Sequence, residues 1–210
     1  MFELVTGFDM LQMAYDENGN IAYESMLEDA VKCAFTTKVN CNLFKFYHTD
    51  GFGPYYGKDN VMFVLNESKT ITAEDVFNQA LTQAIIYYIR IRSGEYNRFS
   101  QLIVNLAYAH DYLDVQQYVI DHFGCFILTC CNKIMYVPVS QIKDLINKVE
   151  GIIKTSPKNI PSEYYKKNSK IHKLLKDVDL KEFRCDILTS DYNLEGVKDI
   201  FNNIMDGINV

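Results

Sequence analysis

No apolar run in this chain approaches the ~20 residues needed to cross a bilayer. The start, Met1-Phe2-Glu3-Leu4, also lacks the basic residues and apolar core of a secretory signal. The expectation is a soluble, cytoplasmic protein (host cytoplasm if virus-encoded) with no membrane partner. The six cysteines, Cys33, Cys41, Cys125, Cys130, Cys131 and Cys185, contain no Cys-x-x-Cys pair and lie mostly inside apolar runs. That argues against a zinc site or a disulfide framework and for reduced thiols packed as small hydrophobes. There is no internal repeat and no low-complexity tract. No Gly-rich loop joins a strand to a helix, which weakens a nucleotide-binding reading. Positive charge is short as well: 21 Lys and Arg stand against 27 Asp and Glu, a net charge of −6. Broad nonspecific affinity for nucleic acid is therefore not expected, although a local basic face stays open. The same acidic balance suits a protein that gathers carboxylates around a metal ion.

What the chain does have is enough apolar residue, 48% of 210, to bury the core of one ordinary domain with or without an appendage. Its organising stretch is Val61-Met62-Phe63-Val64-Leu65-Asn66-Glu67-Ser68-Lys69. Five apolar residues rich in β-formers predict a strand buried on both faces and central in a mixed sheet, ending in charge. Side chains alternate along a strand, so Glu67 and Lys69 point one way and Ser68 the other. A carboxylate beside an ammonium at a sheet rim suits metal-assisted hydrolysis; a solvated polar turn would carry the same residues.

Around this strand, helical spacing of Leu27, Val31, Ala34 and Phe35 predicts a helix over 21–35, with Glu24 and Glu28 on a shared face. Asn42 to His48 alternates as a strand, and Thr49-Asp50-Gly51-Phe52-Gly53-Pro54 reads as a turn or loop, so the expectation is a hairpin that brings Asp50 near Glu67. Asp59, eight extended residues or roughly 26 Å from Glu67, is too far to share an ion. Thr72 is a good N-cap for a long helix to about Ile91 that carries Gln79 and Gln83 one turn apart. Leu102 to Ala107 reads as a further strand, His110 to His122 as a helix, and Cys125 to Cys130 and Ile134 to Pro138 as strands, with a helix over 140–153. Together these predict an α/β fold with a central mixed sheet flanked by helices. Residues 1–153 form the main domain; residues 154–210 form a basic linker and a helical C-terminal extension.

The order of these elements, with Glu28 on the first helix, Asp50 and Glu67-Ser68-Lys69 on the hairpin, and Gln79 and Gln83 on the next helix, resembles the core of the PD-(D/E)XK nuclease superfamily over roughly residues 21–138. The resemblance implies a restriction-endonuclease-like core. It implies Asp50 and Glu67 as ligands of magnesium or manganese, Glu28 as an auxiliary metal-binding acid, Lys69 as the lysine that positions the attacking water, and Gln79 or Gln83 as support. Two departures stand out: Thr49 precedes Asp50 where the family name has proline, and a Gly-rich segment follows Asp50 where the family strand continues. His48 suits manganese, or is an ordinary half-buried histidine.

The implied activity is a Mg- or Mn-dependent endonuclease or exonuclease acting on nucleic acid, DNA ahead of RNA. Lys166, Lys167, Lys170 and Lys173, with Tyr164 and Tyr165 beside them, can track a phosphate backbone or form a solvated face. The alternative is a non-enzymatic binding or regulatory protein, encoded by a phage or mobile element, that uses the fold without catalysis. Fifteen tyrosines and thirteen phenylalanines leave aromatic surface for a protein partner or a homodimer.

Overall fold

Strand β3, Val61–Lys69, is buried along its whole length except at Val61. The computed structural model describes residues 24–58, 60–69, 76–130, 133–153, 160–166, 169–180, 184–186 and 194–208. Thr72 and Asp59, singled out above, lie outside them. β3 is internal in a six-stranded sheet of order β1-β2-β3-β4-β5-β6. The other strands are β1 (Phe44–Phe46), β2 (Thr49–Tyr56), β4 (Phe123–Cys130), β5 (Lys133–Pro138) and β6 (Arg184–Asp186). Only the β3–β4 pair is parallel. The expected mixed sheet with a central, doubly covered β3 is therefore what forms.

Alternation along β3 explains why there are two hydrophobic clusters. Phe63 and Leu65 join one face, whose cover is α2 (Val76–Arg92), the long apolar helix. Met62 and Val64 join the other, covered by α1 (Glu24–Ala34), its π-helical continuation Phe35–Val39, and α7 (Leu194–Ile208). An apolar run without polar alternation is stable only in such a sandwiched strand.

The segment from Thr49 to Pro54, read from sequence as a turn or loop, is instead the first part of β2. Gly53 is there for close approach: a Cβ added to it would lie 1.8 Å from the Asn42 carbonyl oxygen. Pro54 is tolerated because its carbonyl accepts from the Asn42 N–H at 2.9 Å while it faces Phe63 in the β2–β3 register. The actual turn is Tyr47-His48, and Tyr47 takes a left-handed φ of 51°.

A second correction concerns Leu102 to Ala107, expected as a strand, which lies within α3 (Gln101–Ala109). Only Ile103 and Ala107, four residues apart, are buried, while Leu102 is 40% exposed. That is one helical face, and the place beside β3 belongs to β4. The helix expected over 110–122 is the shorter α4 (Val115–Asp121), because Asp111 turns left-handed (φ 62°) and Asp114 caps the N–H groups of Gln116 and Gln117 at 2.9 and 3.1 Å.

Helix α5 (Lys143–Ile153) follows a 3-10 turn, Val139–Ile142. Beyond it the chain does more than extend the domain with helices. Residues 184–186 add strand β6 beside β5. Ile160, Ile171, Leu175 and Leu180 enter the first cluster, and Val197, Phe201 and Met205 enter the second. Cys33, Cys41 and Cys125 are free thiols. No helix among the described residues is long and apolar enough to cross a membrane.

Because the Gly53 contact is with backbone, Gly53→Ala is expected to destabilise the protein by about 3 kcal/mol or more, read as a lower midpoint in urea unfolding. An unchanged midpoint would show that β1 does not press on β2 in solution.

Candidate active site

The β2–β3 register pairs Gly51 with Asn66 and Phe52 with Leu65. Continued by one residue, it sets Asp50 opposite Glu67, and directly opposed residues of an antiparallel pair share a face. Both acids are buried, with relative exposures of 7% and 3%. Asp50 Oδ2 accepts from the Ser68 backbone N–H at 2.7 Å, which ties the start of β2 to the end of β3. Lys69, also buried, donates from Nζ to Glu67 Oε1 at 2.7 Å and to the Ser68 carbonyl at 2.8 Å. The acid and base of the Glu-x-Lys triplet thus touch, as strand alternation requires.

Ser68 points the other way, into a small buried polar network. Asn66 Nδ2 donates to Ser68 Oγ at 3.0 Å, and Thr129 Oγ1 of β4 donates to Asn66 Oδ1 at 3.0 Å. These bonds fix the end of β3 against β4 from beneath, so the residues above are held on a rigid base.

Lys45 is the site residue that sequence reasoning missed. Its Nζ lies 3.3 Å from Glu28 Oε2 and 3.8 Å from Asp50 Oδ1, bridging α1 to β2. The signal was the lone cation between Phe44 and Phe46, which must point away from them in a strand. Glu28 is thereby brought to the Asp50 side of the site, as expected, but in contact with a lysine. Among the described residues, no three His, Cys, Asp or Glu side chains converge as a metal-ligand set. The available donors are two carboxylates on one face of adjacent strands, and magnesium is commonly held by one or two carboxylates together with water and substrate phosphate. The donor set fits that hard ion. His48 is exposed in the β1–β2 turn.

Helix α2 forms a wall of the site. Gln79, Gln83 and Tyr87 follow one another at one-turn spacing and share a face. Gln79 and Gln83 are half-buried, and among the described residues Gln83 Oε1 is a buried acceptor with no hydrogen-bond partner. The Tyr87 hydroxyl is pushed well above its ordinary range, first by burial and then by the charge of Glu67, with Tyr165, Tyr96 and Asp50 adding to it. Tyr165, in the short 3-10 turn Ser162–Tyr165, is also raised by burial and senses Glu67. Tyr87 was not marked by its sequence context, and Tyr165 was marked only as a neighbour of the basic stretch.

Of the four lysines expected to meet nucleic acid, Lys166, Lys170 and Lys173 are exposed and Lys167 lies outside the described residues. Helix α6 (Lys170–Lys176) buries Ile171, His172 and Leu175, and Asn78 of α2 donates to the Leu175 carbonyl at 2.7 Å. Its lysines are left on the outer side.

Burial raises the Asp50 carboxyl from 3.8 to about 6, against the lowering effects of the Ser68 N–H and Lys69; Glu28 raises it further and Lys45 lowers it. Comparison with protein-family models, with curated proteins and with solved structures finds no match to this chain. The site therefore has to be judged on its own geometry.

A raised carboxyl binds its proton more tightly in the folded chain than in the unfolded one. Its stabilising contribution is complete below about pH 4 and is lost as pH rises through about 6. Asp50→Asn escapes that loss, and relative to the parent it should gain up to about 3 kcal/mol between about pH 4 and pH 7 in chelator. Urea midpoints across that range test this; a difference that does not change with pH would refute the shift.

Proposed function

We propose that this chain is a metal-dependent nuclease that hydrolyses phosphodiester bonds at the Asp50, Glu67 and Lys69 rim. The observation that carries the reading is the β2–β3 register, which opposes the two acids while Lys69 Nζ stands 2.7 Å from Glu67. Support also comes from the element order: helix, three antiparallel strands, long helix and, after two shorter helices, a strand parallel to the third. Asp50 opens a strand that continues to Tyr56, so one departure from the PD-(D/E)XK pattern disappears. Thr49 still stands where the family name has proline.

In this reading Asp50 and Glu67 hold magnesium or manganese, with Glu28 in reach through Lys45. The ion supplies an acidified water and neutralises phosphoryl oxygens when bound. Lys69 orients the attacking water and offers its positive charge to the phosphate. Gln83 Oε1, a buried acceptor without a partner among the described residues, is suited to take a hydrogen from a water held in the site. The substrate is nucleic acid, DNA ahead of RNA, with the lysines of 166–173 tracking its backbone.

One observation favours a second reading, a binding or regulatory protein that keeps the fold without catalysis. Lys45 and Lys69 lie against the acids, so the charges are largely balanced from within.

Cleavage of plasmid and of single-stranded substrate in magnesium or manganese decides between the two. Activity is expected to be lost in chelator and to fall by a factor of about 100 or more for Asp50→Ala, Glu67→Ala and Lys69→Ala, scored on protein that circular dichroism shows to be folded, because each change also removes a buried hydrogen bond or ion pair. Cleavage that survives Glu67→Ala or chelator rules out the mechanism. Neutralising Lys166, Lys167, Lys170 and Lys173 to Gln should weaken binding and flatten its salt dependence by about one unit of slope per lost phosphate contact. An unchanged slope would make this a solvated face.

A further inference from the structure

Beside the acids, a stack of aromatic rings reaches from the protein interior to the surface. Tyr96, 3% exposed, is held by Arg90, whose Nη1 donates to its hydroxyl at 2.7 Å and whose guanidinium lies 5.3 Å from the ring. Tyr47 lies on Tyr96 almost parallel, with centroids 4.1 Å apart and planes 5° apart, and is itself 37% exposed. Its hydroxyl accepts from the Arg98 N–H at 3.1 Å.

Tyr47 reaches this position through a left-handed φ of 51°, a conformation that costs a bulky residue on the order of 1 kcal/mol or more. The two-residue β1–β2 turn calls for a positive φ at this position, and it sets the Tyr47 ring on Tyr96 while the residue stays partly open to solvent. The stack also adjoins the catalytic rim: Tyr47 is three residues before Asp50, and Tyr87, 6.3 Å from Tyr96, senses both Glu67 and Asp50. His48 on the same turn and Arg98 on the segment bonded to it are exposed, so the ring has cationic or protonatable neighbours.

We propose that Tyr47, supported by Tyr96, is a stacking platform for an unpaired nucleobase, and that the substrate enters the site as a single strand or a frayed end. The proposal rests on the nuclease reading and adds a substrate class to it. A fixed ring backed by a second ring presents a flat π-face without an ordering cost, and every base has a matching face. Bases inside an intact duplex are stacked on each other and cannot use it. The flanking cations match a phosphate backbone, which a purely apolar protein partner would not need.

The test uses the full chain in chelator, where the nuclease reading predicts no cleavage. A single-stranded oligonucleotide of about a dozen residues carrying the fluorescent base 2-aminopurine reports stacking as quenching. The parent and Tyr47→Phe are expected to bind it with quenching, and to bind the matching duplex more weakly. Tyr47→Leu, which keeps apolar bulk without a π-face, is expected to bind about fivefold or more weakly and to quench little, with the parent's circular dichroism spectrum retained. Tyr47→Leu behaving like the parent, a duplex bound as tightly as the single strand, or no binding by the parent would each overturn the proposal. Cleavage is scored separately in magnesium or manganese. Binding with quenching but no cleavage defeats the hydrolytic reading alone, and cleavage of intact duplex unaffected by Tyr47→Leu defeats the platform alone.

Discussion

The hydrogen bond from the Ser68 N–H to Asp50 Oδ2 is the contact on which the candidate site depends. It closes the β2–β3 pairing at the end that carries the candidate site, and its donor is backbone, so it is available only if β3 stays extended through Lys69. The strand stays extended because its apolar half is sandwiched between two clusters and its polar half is pinned from below by Asn66, Ser68 and Thr129. Packing, buried polar bonds and the orientation of two carboxylates are therefore consequences of one strand pairing.

Electrostatics adds a second layer. Glu28, Asp50 and Glu67 face Lys45 and Lys69 in a partly dry rim, and burial leaves Asp50 with a carboxyl near 6 even beside two lysines. In such a place a divalent cation would stabilise the ionised acid more than water does. Folding and ion binding thus place opposite demands on the same residue. The folded chain alone gains from a neutral side chain at position 50, while the proposed cation binding needs a charged one. This is the usual form of the trade between stability and activity.

The central strand, the long helix 76–92, the last two antiparallel strands and the Glu67–Lys69 side-by-side arrangement were legible in the sequence, because period and length speak directly there. Thr49 to Pro54 was not: Gly51, Gly53 and Pro54 carry the local signature of a turn, and only the passing Asn42 carbonyl, a contact across the sheet, shows that Gly53 serves close packing. Leu102 to Ala107 was misread for the complementary reason. Its apolar residues are contiguous, and which of them are buried is decided by α4 and the rest of the first cluster, not by the segment itself. Lys45, Tyr87 and Tyr165 were invisible as site residues because they reach Glu28, Glu67 and Asp50 only through tertiary placement.

The chain order of the site also has a temporal meaning. Lys45, Asp50, Glu67 and Lys69 all come from one short meander, β1 to β3, which precedes β4 in the chain and closes through local contacts. The parallel partner β4, the α2 wall and the Tyr165 turn come later. A nascent chain halted before residue 123 thus has both acids in hand on a strand pair whose β3 edge is still open to other chains. The strand that ends in the candidate chemistry is then also the one most exposed to misassembly until β4 arrives.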